Sequence, residues 1–457
     1  MLTDTHKLFG TNGIRFIPGD EFDLDFVIKM GLSTGSFFQG NNIIVGYDGR
    51  ISSPSLAKAI SAGLMESGKN VTSAGIVPTP ALQLTVKNSF YDGGIMITAS
   101  HNPPEYNGIK VISSTGLEIS RDEETIVEGI YFNQKYSRQD WKSVGTMNSN
   151  TSVIVDYISS ILKNVDIESV KKRKLKIVID SGNGTQSLSA PFVAESLGCE
   201  VLTINSHIDS NFSGRGGEPT PKTLDMLSKY VVENQADIGV GYDGDGDRSI
   251  FCDENGVVFW GDKSGTLVAK HLIQKGMKTP IITTIATSQI IDKMASDYNV
   301  DVYRTKVGSV DVSHKMQELD SKFGFEENGG CLYTPHIEVR DGAMGTALLL
   351  EVLSTDTRSL SAHVEDLPKF YQSKTKFSCP VEFRTSILDY IHSQLDEKSD
   401  RTDGLKIWWN DTSWSLIRPS GTEPIIRLFN ESDDESELEN INRRCSTLLE
   451  EQIKKLI

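Results

Sequence analysis

Leu175-Lys-Ile-Val-Ile-Asp-Ser-Gly-Asn-Gly-Thr-Gln-Ser-Leu-Ser-Ala-Pro-Phe-Val-Ala-Glu-Ser-Leu197 reads as three elements in succession. Leu175 to Ile179 is an apolar run of strand length, Ser181-Gly-Asn-Gly is a turn, and Ala190 to Leu197 is a helix. Strand, turn and helix in that order make the repeating unit of an α/β sheet. The alternation extends in both directions. Upstream, Ile43 to Val45 is a short buried strand, and Ser53 to Ser67 is a helix with Leu56, Ile60 and Leu64 on one face. Downstream, the apolar strand Ile238 to Tyr242 ends at Asp243, and Asp253-Glu-Asn-Gly is a hairpin turn that opens a third unit. That unit continues with a helix from Lys263, a strand at Ile281 to Ile285, a helix from Gln289, a strand at Val302 to Lys306 and a helix from Val310. After about residue 366 the texture changes. Strand-like Leu405 to Trp409 and Ser413 to Ile417 flank a turn, and a helical stretch, Glu435 to Ile457, follows. With a further break at Met147-Asn-Ser-Asn-Thr-Ser, the chain divides into α/β units at 1–150, 151–252 and 253–366 and an α+β unit at 367–457.

Length and composition agree with several domains. At roughly 100–200 residues per domain, 457 residues hold three or four. The 38% hydrophobic and 24% charged content is that of a globular protein, and no apolar run is long enough to span a bilayer. Five scattered cysteines with no C-x-x-C pair argue against a disulfide framework or zinc site and for a reducing compartment. The start, MLTDTHKLFG, lacks a basic region followed by an apolar stretch, so the expectation is no signal peptide and a cytoplasmic location. A net charge of −16 disfavours nucleic acid, and an anionic substrate would need a locally basic site. The densest basic stretch, Lys171-Lys172-Arg173-Lys174, reads as a solvated linker before a strand.

Several short stretches carry chemistry. Thr98-Ala-Ser-His-Asn-Pro-Pro-Glu-Tyr-Asn-Gly-Ile-Lys110 follows the strand-like Gly94 to Ile97, so Ser100 and His101 lie on a loop beyond a strand's carboxyl end. Ser100 is expected to be exposed there, able to carry a phosphate, with Lys110 folding back as a cationic partner. In Asp243-Gly-Asp-Gly-Asp-Arg248, three carboxylates at alternate positions can turn toward one centre. Their repulsion is costly without a cation, and oxygen-only ligands suit Mg²⁺ or Ca²⁺. An EF-hand fits the D-x-D-x-D spacing and places Glu254 twelfth, but Arg248 stands sixth, where glycine is needed, and the flanks are not helices. Arg418-Pro-Ser-Gly-Thr-Glu-Pro-Ile-Ile-Arg427 puts arginines, hydroxyls and glycine amides on one loop, a phosphate cradle. In Glu326-Glu-Asn-Gly-Gly330, Glu326 and Asn328 lie two apart and suit sugar hydroxyls. Phe9-Gly-Thr-Asn-Gly-Ile-Arg15 and Val45-Gly-Tyr-Asp-Gly-Arg50 offer Arg15 and Arg50 to an anion. No P-loop, G-x-S-x-G elbow or H-E-x-x-H occurs, and Ser187 spoils the dinucleotide pattern of Gly182-Asn-Gly-Thr-Gln-Ser.

With these motifs in this order, the chain resembles the α-D-phosphohexomutase family over essentially its whole length. Thr98-Ala-Ser-His-Asn-Pro resembles the family's phosphoserine loop, Asp243-Gly-Asp-Gly-Asp-Arg its metal loop, Glu326-Glu-Asn-Gly its sugar loop and Arg418-Pro-Ser-Gly-Thr-Glu-Pro its phosphate loop. The resemblance implies three α/β domains with mixed sheets and a C-terminal α+β domain around a central cleft. It implies an isomerase that interconverts hexose 6-phosphate and hexose 1-phosphate through a phosphoserine and a hexose bisphosphate, most readily a phosphoglucosamine mutase. The alternatives are a phosphomannomutase/phosphoglucomutase or a phosphoserine-type sugar phosphatase. Mg²⁺ would be held by Ser100, Asp243, Asp245 and Asp247, with Arg15, His101, Lys110 and Arg248 as catalytic groups. Glu326, Asn328, Arg418, Ser420, Gly421, Thr422 and Arg427 would bind substrate, and the chain would act as a monomer or homodimer. There are two departures. Gly330 stands where bacterial members often have histidine, leaving His336 or His101 to any acid–base role, and Phe16 follows Arg15 where glycine is common.

Overall fold

A computed structural model of the chain describes residues 7–19, 22–420 and 424–456. Among them four sheets form, one after another along the chain. The first runs Ile14–Phe16, Asn107–Ser113, Gly93–Ile97, Asn42–Tyr47, Asn70–Ile76 and Met147–Ser149 across its width. It is mixed: Gly93–Ile97, Asn42–Tyr47, Asn70–Ile76 and Met147–Ser149 are parallel, and Asn107–Ser113 pairs antiparallel with Gly93–Ile97 on one side and Ile14–Phe16 on the other. The second sheet is ordered Val258–Phe259, Ser249–Asp253, Ile238–Tyr242, Lys176–Asp180 and Glu200–Ile204. The hairpin turn at Asp253 therefore closes this sheet, because its two arms pair with each other. The third sheet is Val302–Thr305, Ile281–Thr284, Phe323–Phe325, Cys331–Tyr333 and Ile337–Arg340, again mixed. The fourth, Tyr371–Ser378, Ile425–Ser432, Trp414–Pro419, Leu405–Trp408 and Ser399–Asp400, is wholly antiparallel and is covered by helices Arg384–Ser393 and Glu435–Leu456. The architecture is that expected from sequence, three α/β layers and one α+β layer. Element ends differ from the sequence reading by one or two residues, as frayed termini do.

The apolar cores show which units pack as one. One continuous apolar cluster runs from Ile44 and Leu82 through Tyr157, Ile177 and Val240 to Phe323 and Leu349, tying the first three units to one another. The fourth has its own core around Ile387, Ile407, Leu428 and Leu449. Among the described residues a small apolar cluster, Ile285 and Ala286 against Trp414 and Leu416, joins it to the third. Helix Gly342–Ser354 lies at the centre of the large cluster and is buried from Gly342 to Leu353, as its Ala-Leu-Leu-Leu run requires. Asp341 caps its N-terminus by accepting from Met344 N. Beyond its other end, Arg173 Nε donates to the carbonyls of Leu353 and Asp356 at 3.2 and 3.0 Å. This corrects the linker reading of Lys171 to Lys174. Lys171 to Arg173 form the last turn of helix Ile167–Arg173, Lys174 adopts φ 51° as its C-cap, and the arginine satisfies orphan carbonyls.

Candidate active site

The loop after strand Gly93–Ile97 is shaped by a single buried arginine. Arg50 Nε donates to Asp48 Oδ2 at 3.0 Å, Nη1 to the carbonyls of Pro103 and Tyr106, and Nη2 to those of Ser100 and Asn102. All five of its donors are thus spent inside the protein. Arg50 is therefore not the phosphate partner expected from sequence; it holds the loop. Thr98 Oγ1 donates to Asp48 Oδ2 and accepts from Ser100 N, tightening the same turn. Ser100 ends with φ 50° and is completely buried, not exposed as expected, because the second unit closes over it. Gly244 explains the approach: a Cβ there would lie 2.6 Å from the Ser100 carbonyl oxygen.

Ser100 Oγ donates to Asp243 Oδ2 at 2.6 Å and lies 3.3 Å from His101 Nδ1. Asp243, Asp245 and Asp247 are all buried, with ligand oxygens within 4.8 Å of one another. Burial, then Asp247 and Asp245, push the Asp243 carboxyl well above the usual range. Burial works against Asp245 too, but Lys110 and Thr79 hold its carboxyl below the ordinary value. Lys110 Nζ lies 2.8 Å from Asp245 and 3.3 Å from Asp247, and Thr79 Oγ1 donates to Asp245 at 2.6 Å. Asp245 Oδ1 and Asp247 Oδ1 have no hydrogen-bond partner among the described residues. Three clustered carboxylates with unpartnered buried oxygens fit a hard divalent cation.

Positive groups ring this centre, answering the net charge of the chain. Arg248 Nε is 3.7 Å from Asp247 Oδ1 and 4.0 Å from Asp243 Oδ2. Arg15 donates to Asn102 Oδ1 on the serine loop, and burial, then Arg248, lowers its pKa to about 10. Burial, then Arg248, Arg15, Arg427 and Arg340, pushes His101 well below its ordinary value, so its imidazole is neutral. His336 spends both ring nitrogens elsewhere, on Asp341 at 3.1 Å and Ser160 at 3.0 Å.

The remaining residues arrive from two other units. Glu326 is buried; Oε2 receives Arg340 Nη1 at 3.2 Å, while Oε1 has no partner among the described residues. Burial raises its pKa against the pull of Arg340. Asn328 is half-buried, and its Oδ1 accepts from Gly330 N. Arg418 and Arg427 face each other in the antiparallel register of the fourth sheet. Arg418 Nε donates to Asp403 Oδ2 at 2.6 Å. Ser420 follows the same strand, with its carbonyl accepting from Arg384, while Gly421 and Thr422 lie outside the described residues. Sequence reasoning missed Arg340, which donates from Nη2 to Asp247 Oδ2 at 2.5 Å. It belongs to no motif; a lone arginine at a strand end gives no signal until the fold places it.

Comparison with known proteins bears on this arrangement. Models of phosphoglucomutase/phosphomannomutase alpha/beta/alpha domains I, II and III match residues 6–138, 155–256 and 260–371, and the C-terminal domain model matches 392–446. A phosphoglucosamine/phosphogalactosamine mutase of Sulfurisphaera tokodaii is 42% identical, covering 97% of this chain and 99% of that one. A phosphoglucomutase/phosphomannomutase of Thermococcus kodakarensis is 38% identical over 98% of this chain and 99% of its own. The crystal structure of a phosphoglucomutase/phosphomannomutase family protein from Burkholderia thailandensis superposes with TM-score 0.87 at 24% identity, covering 98% of this chain and 97% of that one. Among the described residues no helix is long and apolar enough to cross a membrane.

Proposed function

The chain belongs to the phosphoglucomutase/phosphomannomutase family and is a phosphohexomutase, an isomerase, and from that premise we propose how its residues do the work and on which sugar. The observation that carries the proposal is the 2.6 Å contact of buried Ser100 Oγ with Asp243, beside two further aspartates. Ser100, once phosphorylated, is the phosphoryl carrier. The phosphorus–oxygen bond to Ser100 breaks as a bond to the free hydroxyl of the hexose phosphate forms, giving a hexose bisphosphate. That hydroxyl's proton passes to a base, for which neutral His101 is placed, and the serine oxygen is the leaving group. The bisphosphate turns over within the cleft and returns its other phosphoryl group to Ser100. Asp243, Asp245 and Asp247 would hold Mg²⁺ together with a phosphate oxygen on Ser100. When bound, the ion supplies charge neutralisation for the transferring group.

Lys110, Arg248 and Arg15 keep the centre basic enough for a phosphate. Glu326, through Oε1, and Asn328 accept sugar hydroxyls. Arg418, Ser420 and Arg427, with Gly421 and Thr422, grip the phosphate not undergoing transfer. The working division is into domains 1–150, 151–252, 253–366 and 367–457, with the second boundary moved past Phe259 because the hairpin at Asp253 completes the second sheet, in a cytoplasmic monomer or homodimer. The sugar is glucosamine phosphate, supported by the Sulfurisphaera relative; mannose and glucose phosphates are the second reading, supported by the Thermococcus one. The test is a side-by-side assay of the phosphoprotein with glucosamine, mannose and glucose phosphates. Isomer formed fastest from glucosamine 6-phosphate supports the proposal, whereas release of inorganic phosphate would make the protein a phosphatase.

A further inference from the structure

Gly330 closes the sugar loop, yet its backbone does not demand glycine, since its φ lies outside the left-handed region. What it provides is space. A Cβ at position 330 would stand 2.5 Å from Arg340 Cδ, 2.8 Å from Arg340 Cγ and 3.1 Å from Glu326 Oε2. Carbon atoms pack at about 3.5–4.0 Å, so the arginine stem could not remain where it is. Nor is that stem free to swing. Its head is bound at both sides, Nη2 to Asp247 and Nη1 to Glu326, and the residue is 2% exposed. Its root is fixed as well: Arg340 pairs with Leu332 at the end of its strand, and Asp341 immediately caps helix Gly342–Ser354. Asn12, with its amide turned to donate to Thr11, offers its oxygen to both terminal nitrogens at 3.2 and 3.1 Å.

The two carboxylates joined by this guanidinium belong to different functions. Asp247 is one of the three metal-site aspartates, and Glu326 belongs to the sugar loop. Asp247 Oδ2 takes Arg340 and Lys110, which leaves Oδ1 without a protein hydrogen bond among the described residues. We infer that Arg340, passed over Gly330, is a positioning residue for the mutase reaction, setting the separation of the sugar loop from the metal loop and leaving Oδ1 as the oxygen of Asp247 that would be open to a cation. The inference rests on the mutase reading above. A lysine would not do the same: its ammonium is a point donor, whereas the guanidinium fork reaches two carboxylates at once.

The test is a double-mutant cycle on Gly330→Ala and Arg340→Ala, with Arg340→Lys as the conservative variant. Each protein is assayed for kcat, KM and the Mg²⁺ concentration giving half-activation, using whichever of glucosamine, mannose or glucose phosphate wild type turns over fastest, and Mg²⁺ binding to the substrate-free protein is measured by calorimetric titration. Gly330→Ala keeps every charge, so it should fold. It is expected to lower kcat on the order of 10-fold or more by displacing the arginine, and Arg340→Lys to recover only part of the activity lost in Arg340→Ala. In the Arg340→Ala background the added methyl should change nothing beyond about 2-fold, since its target is gone. Losing the cation beside Asp247 leaves the aspartates more negative, so half-activation should need several-fold less Mg²⁺, roughly 3- to 10-fold, even as kcat falls. A merely structural defect would not tighten the metal. Equal losses from Gly330→Ala in both backgrounds, or wild-type kcat and Mg²⁺ response in Gly330→Ala, would overturn the inference. Should Arg340→Ala fail to fold, Arg340→Lys decides by itself: it keeps the stem and the charge but not the fork, so wild-type kcat and Mg²⁺ response in that variant would overturn the inference. An inactive wild type would instead remove the mutase reading on which the inference stands.

Discussion

Ser100 adopts φ 50°, a conformation that costs an ordinary L-residue about 1–2 kcal/mol. The loop accepts that cost because it aims Oγ at Asp243. Ser100→Ala should therefore lose nearly all turnover while melting close to wild type, and Ser100→Gly should be equally inactive but melt higher than Ser100→Ala. Intact-mass spectrometry should find one phosphate on wild type and none on either variant; a phosphorylated, active Ser100→Ala would end the carrier assignment. The aspartates are not equivalent either. Asp243 is the one whose charge is disfavoured, so Asp243→Asn should leave stability in metal-free buffer unchanged or raised. Asp245→Asn would strand buried Lys110 with Asp247 alone at 3.3 Å, and breaking a buried pair costs on the order of 3–5 kcal/mol. Thermal melts in chelator distinguish the two, and both should lose metal-dependent activity. The three aspartates were legible in the sequence because they sit at alternate positions in one short loop. Arg50 and Arg340 were not, because their roles depend on partners 53 and 93 residues away.

At the scale of elements, the serine loop shows how much one side chain can organise. Arg50 ties its own strand end to four carbonyls of the loop and stacks its guanidinium 4.9 Å from the Phe212 ring of the second unit. Arg50→Lys keeps the charge but has three donors for five acceptors, so at about 1–3 kcal/mol per unmet buried group it should be severely destabilising. A melting curve within a degree or two of wild type would show that the loop is held by something else. Strands and helices themselves were legible, since Ile238–Tyr242 and Glu435–Leu456 each declare a period or an apolar run. What the pattern could not give was depth. Ser100 follows a turn-rich sequence that reads as surface, and only the closure of a neighbouring sheet buries it.

Across the whole molecule, the fourth unit stands apart from the other three. It meets the third through polar contacts: Lys406 Nζ to the Ile285 carbonyl at 2.8 Å, Asp403 accepting from Val307 N, and Glu431 accepting from Gln289 N. Lys406 is buried between Trp414, 3.9 Å away, and Trp408, and burial lowers its pKa to about 7. An unfolded lysine titrates near about 10.4, so between pH 7 and 10 the unfolded chain binds the extra proton. This group should make stability rise as pH rises through that window and contribute no slope below it. Denaturation of wild type and Lys406→Met from pH 6 to 9.5 should show the difference in slope; parallel curves would rule it out. Arg418→Ala should act mainly on KM, raising it roughly 10- to 150-fold, because the non-transferred phosphate is held alike in ground and transition states. Steady-state kinetics with a hexose 1-phosphate would show an unchanged kcat/KM if Arg418 does no more than pair with Asp403.

The separate core of the fourth unit also makes the proposed cycle a race. Half-way through, the phosphate has left Ser100 and the bisphosphate is held only by contacts, one set of which rides on a body joined to the rest by a small apolar cluster and a few hydrogen bonds. If that body swings away before the sugar turns, the bisphosphate escapes and leaves a bare serine that cannot start another round. Commitment, the number of rounds completed per escape, is then the ratio of two rates, sugar reorientation against opening. Weakening the contacts that join the fourth unit to the third should shorten each run without slowing any chemical step, and the deficit should be cured by adding hexose bisphosphate to the assay.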